Sequence, residues 1–206
     1  MRHLDKLIKR NYASVSGFVR VVLSELDFVF GTAGKFANPS IPNIRRVVFI
    51  CLGNINRSAF ASAVCAESGI HTVSFGLSTS TGAPAFHRAV KIAAEMGFNL
   101  TSHKAVGVAD FIPEHGDLYL VMEIRHAKRL VSLGLPMSQI ALLGFWSRPQ
   151  RLHIHDPFEH DEEYFRSCFT LVESAVRNLA LEMRQASSPA CSISCSELGI
   201  RPEHTK

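Results

Sequence analysis

Four short apolar runs punctuate the chain, at 46–50, 72–75, 118–122 and 140–143, with glycine or polar residues close on either side. Runs of this length, rich in Val, Ile, Leu and Phe, read as strands buried on both faces. Between and after them, apolar positions recur at a helical period. Helices are predicted at 58–67, at 85–96 with Gly97 as C-terminal cap, at 124–133 before Gly134, and at 160–185. On the last, Phe165, Cys168, Val172, Val176 and Leu179 form one stripe, which is the face turned to the core. Strands alternating with helices predict an α/β fold, a four-stranded parallel sheet with helices on both faces. Open sheets of this kind bind ligands beyond the carboxyl ends of their strands, where the segment after Ile50 and the one around Asp156 both fall.

The chain divides into an extension and linker at 1–45, a domain at 46–185 and a tail at 186–206. In the extension, Leu4, Leu7 and Ile8, then Phe18, Val21, Val22, Leu26, Phe28 and Val29, suggest two short amphipathic helices. Arg20, Glu25 and Asp27 interrupt the second, which is too short and too charged to span a bilayer, and no small-residue cleavage site marks a signal peptide. The favoured expectation is packing on the domain or on another subunit, giving a possible oligomer contact, in preference to a membrane surface. Residues 34–42 read as linker, and the Ser- and Pro-bearing stretch after Ala186 as a flexible tail.

Chemistry concentrates in Cys51-Leu52-Gly53-Asn54-Ile55-Asn56-Arg57-Ser58, directly after the first apolar run. A strand that empties into a short loop and then a helix makes a nest of backbone N–H groups beside a positive helix end, which suits a tetrahedral oxyanion. A thiol in that ring, near a guanidinium, is held as thiolate and becomes a nucleophile. Arg57 offers a planar fork for two non-bridging oxygens. Gly53 lets the loop curl, Asn54 braces it through its amide, and the Ser58 hydroxyl is placed to donate to the sulfur. Leu52 and Ile55, with Phe158 and Trp146 at the rim, would make the pocket apolar enough for an aromatic ring.

This segment resembles the signature of the low-molecular-weight protein tyrosine phosphatases, Cys-x-Gly-Asn-x-Cys-Arg-Ser-Pro, at Cys51, Gly53, Asn54, Arg57 and Ser58. Ser74-Phe75-Gly76, Gly82-Ala83-Pro84-Ala85, Ser102-His103-Lys104-Ala105 and Asp156-Pro157-Phe158 follow in the family's order, and the likeness spans about 46–184. The resemblance implies a flavodoxin-like, phosphotyrosine phosphatase I-like fold, with Cys51 as nucleophile, Arg57 as phosphate clamp and Asp156 as general acid and base on a mobile loop. It further implies phosphate contacts from Leu52, Gly53, Asn54, Ile55, Asn56, Ser58 and Phe158, loop support from Ser74 and His103, and no cofactor or metal. Pro157 biases Asp156 toward an extended conformation, although an Asp-Pro before an acidic run is also a common helix start with Asp as cap. The partner implied is a phosphotyrosine-containing protein, on the analogy of bacterial members a tyrosine kinase controlling polysaccharide export. The chain departs from the pattern at Asn56, where a second loop cysteine is usual, at Ala59 for Pro, at Phe86-His87 for Asp-Pro, and at Phe158 for Tyr.

Composition narrows the alternatives. With 206 residues and 47% of them hydrophobic, one sizeable core is expected. Five cysteines, an odd number, suggest a reduced, cytoplasmic chain, and Cys65 and Cys168 read as core. The net charge of +4 comes with no aromatic-interleaved basic stripe, which argues against nucleic acid. His153, His155, Asp156, His160 and Asp161 are metal-ligating types but lack the spacing of a four-ligand site. Two other functions share the loop. An arsenate reductase needs further relay cysteines, which only Cys191 and Cys195 in the tail offer as a close pair, and a silent phosphotyrosine-binding module would gain nothing from the acid. Without a second loop thiol, prolonged peroxide should carry Cys51 past the sulfenic acid to irreversible acids. The expected outcome is incomplete recovery of activity by added thiol, and full recovery would refute it.

Overall fold

The strand Arg46–Cys51 (β1) is buried along its whole length, and the sheet forms around it. The computed structural model describes residues 44–187 throughout and, before them, 11, 12, 14, 17–19, 21–23, 26, 33–37 and 39. After β1 come Arg57–Glu67 (α1), Thr72–Gly76 (β2), His87–Glu95 (α2), Asp117–Val121 (β3), Ile124–Ser132 (α3), Ile140–Leu142 (β4) and Glu162–Ser187 (α4). The sheet has four strands in the order β2-β1-β3-β4, all parallel. The chain leaves β1 in one direction to reach β2 and builds in the other through β3 and β4. The crevice where it changes direction lies at the ends of β1 and β3.

Successive residues of a strand point to opposite faces, so the apolar runs feed two cores. Val47, Phe49, Leu118, Leu120 and Met122 pack under Phe60 and Val64 of α1, Ile92 of α2, and Phe165, Phe169, Val172, Val176 and Leu179 of α4. Phe60 and Phe169 stack at 4.0 Å between ring centroids. On the other face Val48, Ile50, Tyr119 and Val121 meet Phe75, Ala127, Leu130 and Leu152. Cys65 and Cys168 are buried core residues, and burial pushes their thiols up to about 11 and about 12.

Several boundaries differ from the sequence expectation, each for a local reason. The helix expected from Ala85 begins at His87 because Phe86 is extended, at φ −62° and ψ 134°. The helix expected from His160 begins at Glu162, and the Asp161 carboxylate accepts from the Tyr164 N–H at 2.9 Å as its cap. Part of the expected linker is structured: Ala33–Phe36 forms a 3-10 turn, and the Phe36 side chain enters the second core beside Ile140 and Leu142. Residues 17–19, 21–23 and 26 are helical, but Phe18, Val22 and Leu26 are exposed, so this apolar side does not pack on the domain as expected. The physical reason is that the opposite side is seated, with Gly17 buried and Val21 half-buried. Leu4, Leu7, Ile8, Phe28, Val29 and the tail with Cys191 and Cys195 lie outside the described residues.

The amino ends of β1 and β3 are tied by a buried ion pair. Arg46 faces Asp117 in register and donates from Nε to Oδ1 at 2.7 Å and from Nη2 to Oδ2 at 2.8 Å. Asp117 also accepts from the Glu114 N–H and the Tyr119 hydroxyl. Burial works against the charge on Asp117, but these donors overcome it and hold the carboxyl below its ordinary value. Asp117→Ala would leave a nearly buried guanidinium without its main partner. Guanidinium denaturation should show a loss of about 3 kcal/mol, and a loss below about 1 kcal/mol would show that the pair only orders the strand ends.

Candidate active site

The loop that follows β1 is held by one residue in an unusual conformation. Asn54 has φ +52°, a left-handed region that asparagine tolerates better than most residues. Its side-chain amide donates to Ser58 Oγ and to Ser74 Oγ, both at 2.9 Å, and accepts from the Val106 N–H at 2.9 Å. Its carbonyl lies 2.6 Å from His103 Nε2. Burial lowers the His103 pKa and keeps the ring neutral, so Nε2–H is the donor in that contact. Ser74 and His103 therefore brace the loop from behind.

Cys51 is buried at the end of β1, inside this frame. Its Sγ accepts from the Asn54 N–H at 3.2 Å and sits 2.9 Å from Ser58 Oγ. Because Ser58 already accepts from Asn54, its own hydrogen is left for the sulfur. The helix α1 starts at Arg57 with no side-chain cap, so its first-turn N–H groups keep their donor capacity. The curl of the loop leaves room at Gly53. A Cβ there would meet only the Ile55 side chain at 3.5 Å, whereas one at Gly76 would come within 2.9 Å of the Leu52 carbonyl, so Gly76 is the position where the loop needs glycine behind it.

Arg57 has no exposed surface. It donates from Nη1 to Glu123 Oε1 at 2.7 Å and to the Ile154 carbonyl at 2.8 Å, and from Nη2 to the Asp156 carboxylate. Burial opposes its charge, but Asp156, Cys51 and Glu123 outweigh the burial and keep the guanidinium protonated. Its Nε–H is buried without a partner among the described residues. Asp156 also receives the Phe158 N–H at 3.2 Å and the Asn56 amide at 3.5 Å. It does not cap a helix, that task having passed to Asp161.

A cavity of about 180 Å³ lies in front of the thiol, lined by Cys51, Leu52, Gly53, Ile55, Asn56, Ser78, Asp156 and Phe158. Leu52 and Phe158 are partly exposed at its rim, and Phe86 backs Phe158 at 4.8 Å between ring centroids. Trp146 is not at the rim. It is buried against α4, where its indole N–H donates to Glu182 at 2.7 Å. The histidines considered for a metal make other contacts, His153 lying 3.7 Å from Glu123 and His155 between the rings of His153 and His160. Among the described residues no three His, Cys, Asp or Glu side chains converge as ligands.

Sequence reasoning missed Glu123, His126 and Ser78 as parts of this neighbourhood and marked Phe86 only as a departure from the family pattern. The signal for Glu123 was available, since it is an acid at the carboxyl end of the third apolar run, beside the sheet's change of direction. Burial works against its charge, yet Arg57, His126 and His153 bring it down to about 2. Burial drives His126 to about 3 and His153 to about 4, from an ordinary 6.5. A histidine kept neutral by burial binds its proton more weakly folded than unfolded. The stability it contributes is complete above 6.5 and is lost as pH falls toward 4 and 3. Urea midpoints should therefore drop as pH falls below 6.5, each histidine adding at most about 1.4 kcal/mol per pH unit. His126→Asn should flatten that dependence, and an unchanged slope would assign the acid lability elsewhere.

A family profile described as "Low molecular weight phosphotyrosine protein phosphatase" matches residues 46–188. The low molecular weight protein-tyrosine-phosphatase Wzb of Escherichia coli K12 is 31% identical over 137 residues, covering 65% of this chain and 92% of its own. The crystal structure of the Erwinia amylovora tyrosine phosphatase amsI superposes with a TM-score of 0.60 at 25% identity, over 68% of this chain and 93% of that one. The YwlE arginine phosphatase of Geobacillus stearothermophilus shares the fold, with a TM-score of 0.59 at 21% identity over 78% of this chain and 99% of that one. Fold, loop and likeness converge, and the chain belongs to the low molecular weight phosphotyrosine protein phosphatase family, whose members are hydrolases of phosphoric monoesters.

Proposed function

We propose that the protein hydrolyses phosphotyrosine in other proteins through a phosphocysteine intermediate. The observation that carries this reading is the meeting of Cys51, the Arg57–Asp156 pair and an apolar rim at one small cavity. In the first step Cys51 Sγ attacks phosphorus in line. The S–P bond forms as the P–O bond to the ring breaks, and the Asp156 carboxylic acid gives its proton to the departing phenolate oxygen. Arg57 and the loop amides hold the equatorial oxygens. In the second step Asp156, now a carboxylate, takes a proton from a water that attacks phosphorus. The S–P bond breaks, inorganic phosphate leaves, and the Ser58 hydroxyl stabilises the returning thiolate.

The substrate class is argued from the walls. Leu52, Ile55 and Phe158 present hydrocarbon to whatever follows the phosphorus, which favours an aromatic ring over the short stem of phosphoserine. Phosphoarginine, the substrate class that the YwlE name implies for that protein, carries a cationic guanidino group, which an apolar rim receives poorly. Asp156, the only carboxylate lining the cavity among the described residues, is engaged by Arg57. An arsenate relay finds no support in Cys65 and Cys168, which are buried with raised pKa values. The partner is a phosphotyrosine-containing protein in the cytoplasm, a bacterial tyrosine kinase being the class that the resemblance implies.

Cys51→Ser should abolish turnover of an aryl phosphate, and a parental rate would remove the nucleophile from the proposal. Asp156→Ala should lower kcat by about 10² to 10⁴ for a poor leaving group such as phenol, and by much less for 4-nitrophenol, which needs no proton. An equal loss with both would mean that Asp156 acts only through Arg57. Phosphotyrosine peptides should be cleaved with a higher kcat/KM than phosphoserine or phosphoarginine peptides.

A further inference from the structure

The extension contains an apolar surface with no function in catalysis. Phe18, Val19, Val22, Leu23 and Leu26 are 39–58% exposed. At the spacing of an α-helix these five fall within an arc of about 140°. By the same spacing positions 20, 24, 25 and 27, occupied by Arg, Ser, Glu and Asp, fall outside that arc. The pattern is amphipathic, and its apolar side faces away from the domain.

The opposite side is anchored. Ser14 Oγ accepts from the Gly17 N–H at 3.1 Å at the start of the helical residues. The Arg151 guanidinium lies 4.2 Å from the centre of the Tyr12 ring and donates to the Asn11 carbonyl. Tyr12 in turn meets Phe18 edge to face at 5.0 Å. Arg151 stands five positions before Asp156 in the chain. The contact thus joins the extension to the strand-like segment that carries the proposed acid.

We propose that this stripe docks the protein on an anionic lipid surface. An exposed apolar stripe has two plausible occupants, hydrocarbon or a second copy of itself, and the sequence ahead of it discriminates between them. Arg2, Lys6, Lys9 and Arg10, against the single acid Asp5, precede the stripe. Anionic headgroups attract such a segment at the same time as the apolar side chains enter the acyl boundary. A second copy offers this segment only Asp5, Glu25 and Asp27 among the same basic residues, whereas an anionic lipid surface offers negative charge throughout. Five apolar side chains with a basic flank give reversible surface binding, and among the described residues no helix is long and apolar enough to cross a membrane. The inference stands apart from the catalytic reading, because it involves none of the residues around Cys51.

The test is co-sedimentation of the full chain with vesicles of phosphatidylcholine alone and of phosphatidylcholine mixed with phosphatidylglycerol. The chain should sediment with the mixed vesicles, much less with the neutral ones, and less again at high salt. The double variant Val19→Glu with Leu23→Glu should lose at least about tenfold in partitioning while hydrolysing a soluble aryl phosphate like the parent, which also serves as its folding control. Lys9→Glu with Arg10→Glu should weaken binding to mixed vesicles alone. Absence of sedimentation with both vesicles would overturn the proposal, as would equal, salt-insensitive binding to both or retained binding by the double variant. A parental dimer in analytical ultracentrifugation that the double variant dissolves, without vesicle binding, would assign the stripe to a second copy and equally overturn it.

Discussion

The site depends on one buried cation. A guanidinium with no exposed surface is tolerable only if its charge and its N–H groups are met from within, since the desolvation cost of an unpaired ion exceeds what a domain can spare. Arg57 is met by Glu123 from the end of β3 and by the Ile154 carbonyl and Asp156 from the segment that returns from β4. Two stretches far from it in sequence are thereby pinned around the first residue of α1. The same requirement accounts for the low pKa of Glu123 and for the histidines near it that burial keeps neutral. Had either ring been protonated, it would compete with Arg57 for the Glu123 carboxylate.

The second constraint acts on the backbone. A loop that turns its N–H groups inward must hold unfavourable dihedrals without carbonyls and amides closing on one another as in regular structure. Asn54 solves this locally: its left-handed conformation is fixed by two hydroxyls, one backbone N–H and one neutral imidazole. Ser58 illustrates how the network sets chemistry. Receiving a hydrogen bond from Asn54 leaves its proton available to the sulfur 2.9 Å away. In the proposed reaction, a loop held this way before an anion arrives would spare the entropy of ordering it at the moment of binding.

How much of this could be read from the sequence follows from the range of each interaction. The four strands and four helices of the domain were legible because buried parallel strands appear as bare apolar runs and α4 writes its core stripe at a helical period. Cys51, Gly53, Asn54, Arg57 and Ser58 were legible together because the loop is contiguous. Glu123 was legible only as an acid at the end of the third apolar run, since its role exists only once β3 lies beside β1, and the displacement of Trp146 from the rim to α4 was not legible at all. Gly76 shows a subtler limit: the loop backbone comes closest to a glycine at the end of the neighbouring strand, which sequence spacing does not reveal. In the extension, helical periodicity identified the apolar side but carried no information on which way it would face, and the domain took the small residue Gly17 rather than Phe18 or Leu26.

Asp156 has two partners to choose between, and the choice links binding to chemistry. In the structure its carboxylate lies on Arg57, on a guanidinium whose other N–H groups are committed to Glu123 and Ile154 or buried. A phosphoryl dianion entering the cavity carries more charge than a carboxylate and offers several oxygens to the same fork, so it competes directly for Arg57. Released from that contact, the Asp156 carboxyl is free to meet the leaving-group oxygen, which is the part that the proposed first step gives it. Once the proton has gone to the leaving group and the phosphoryl has moved onto sulfur, Asp156 is again a carboxylate beside Arg57, in the state required of a base. The competition for a single guanidinium would thus time the alternation of acid and base without any large movement of the fold.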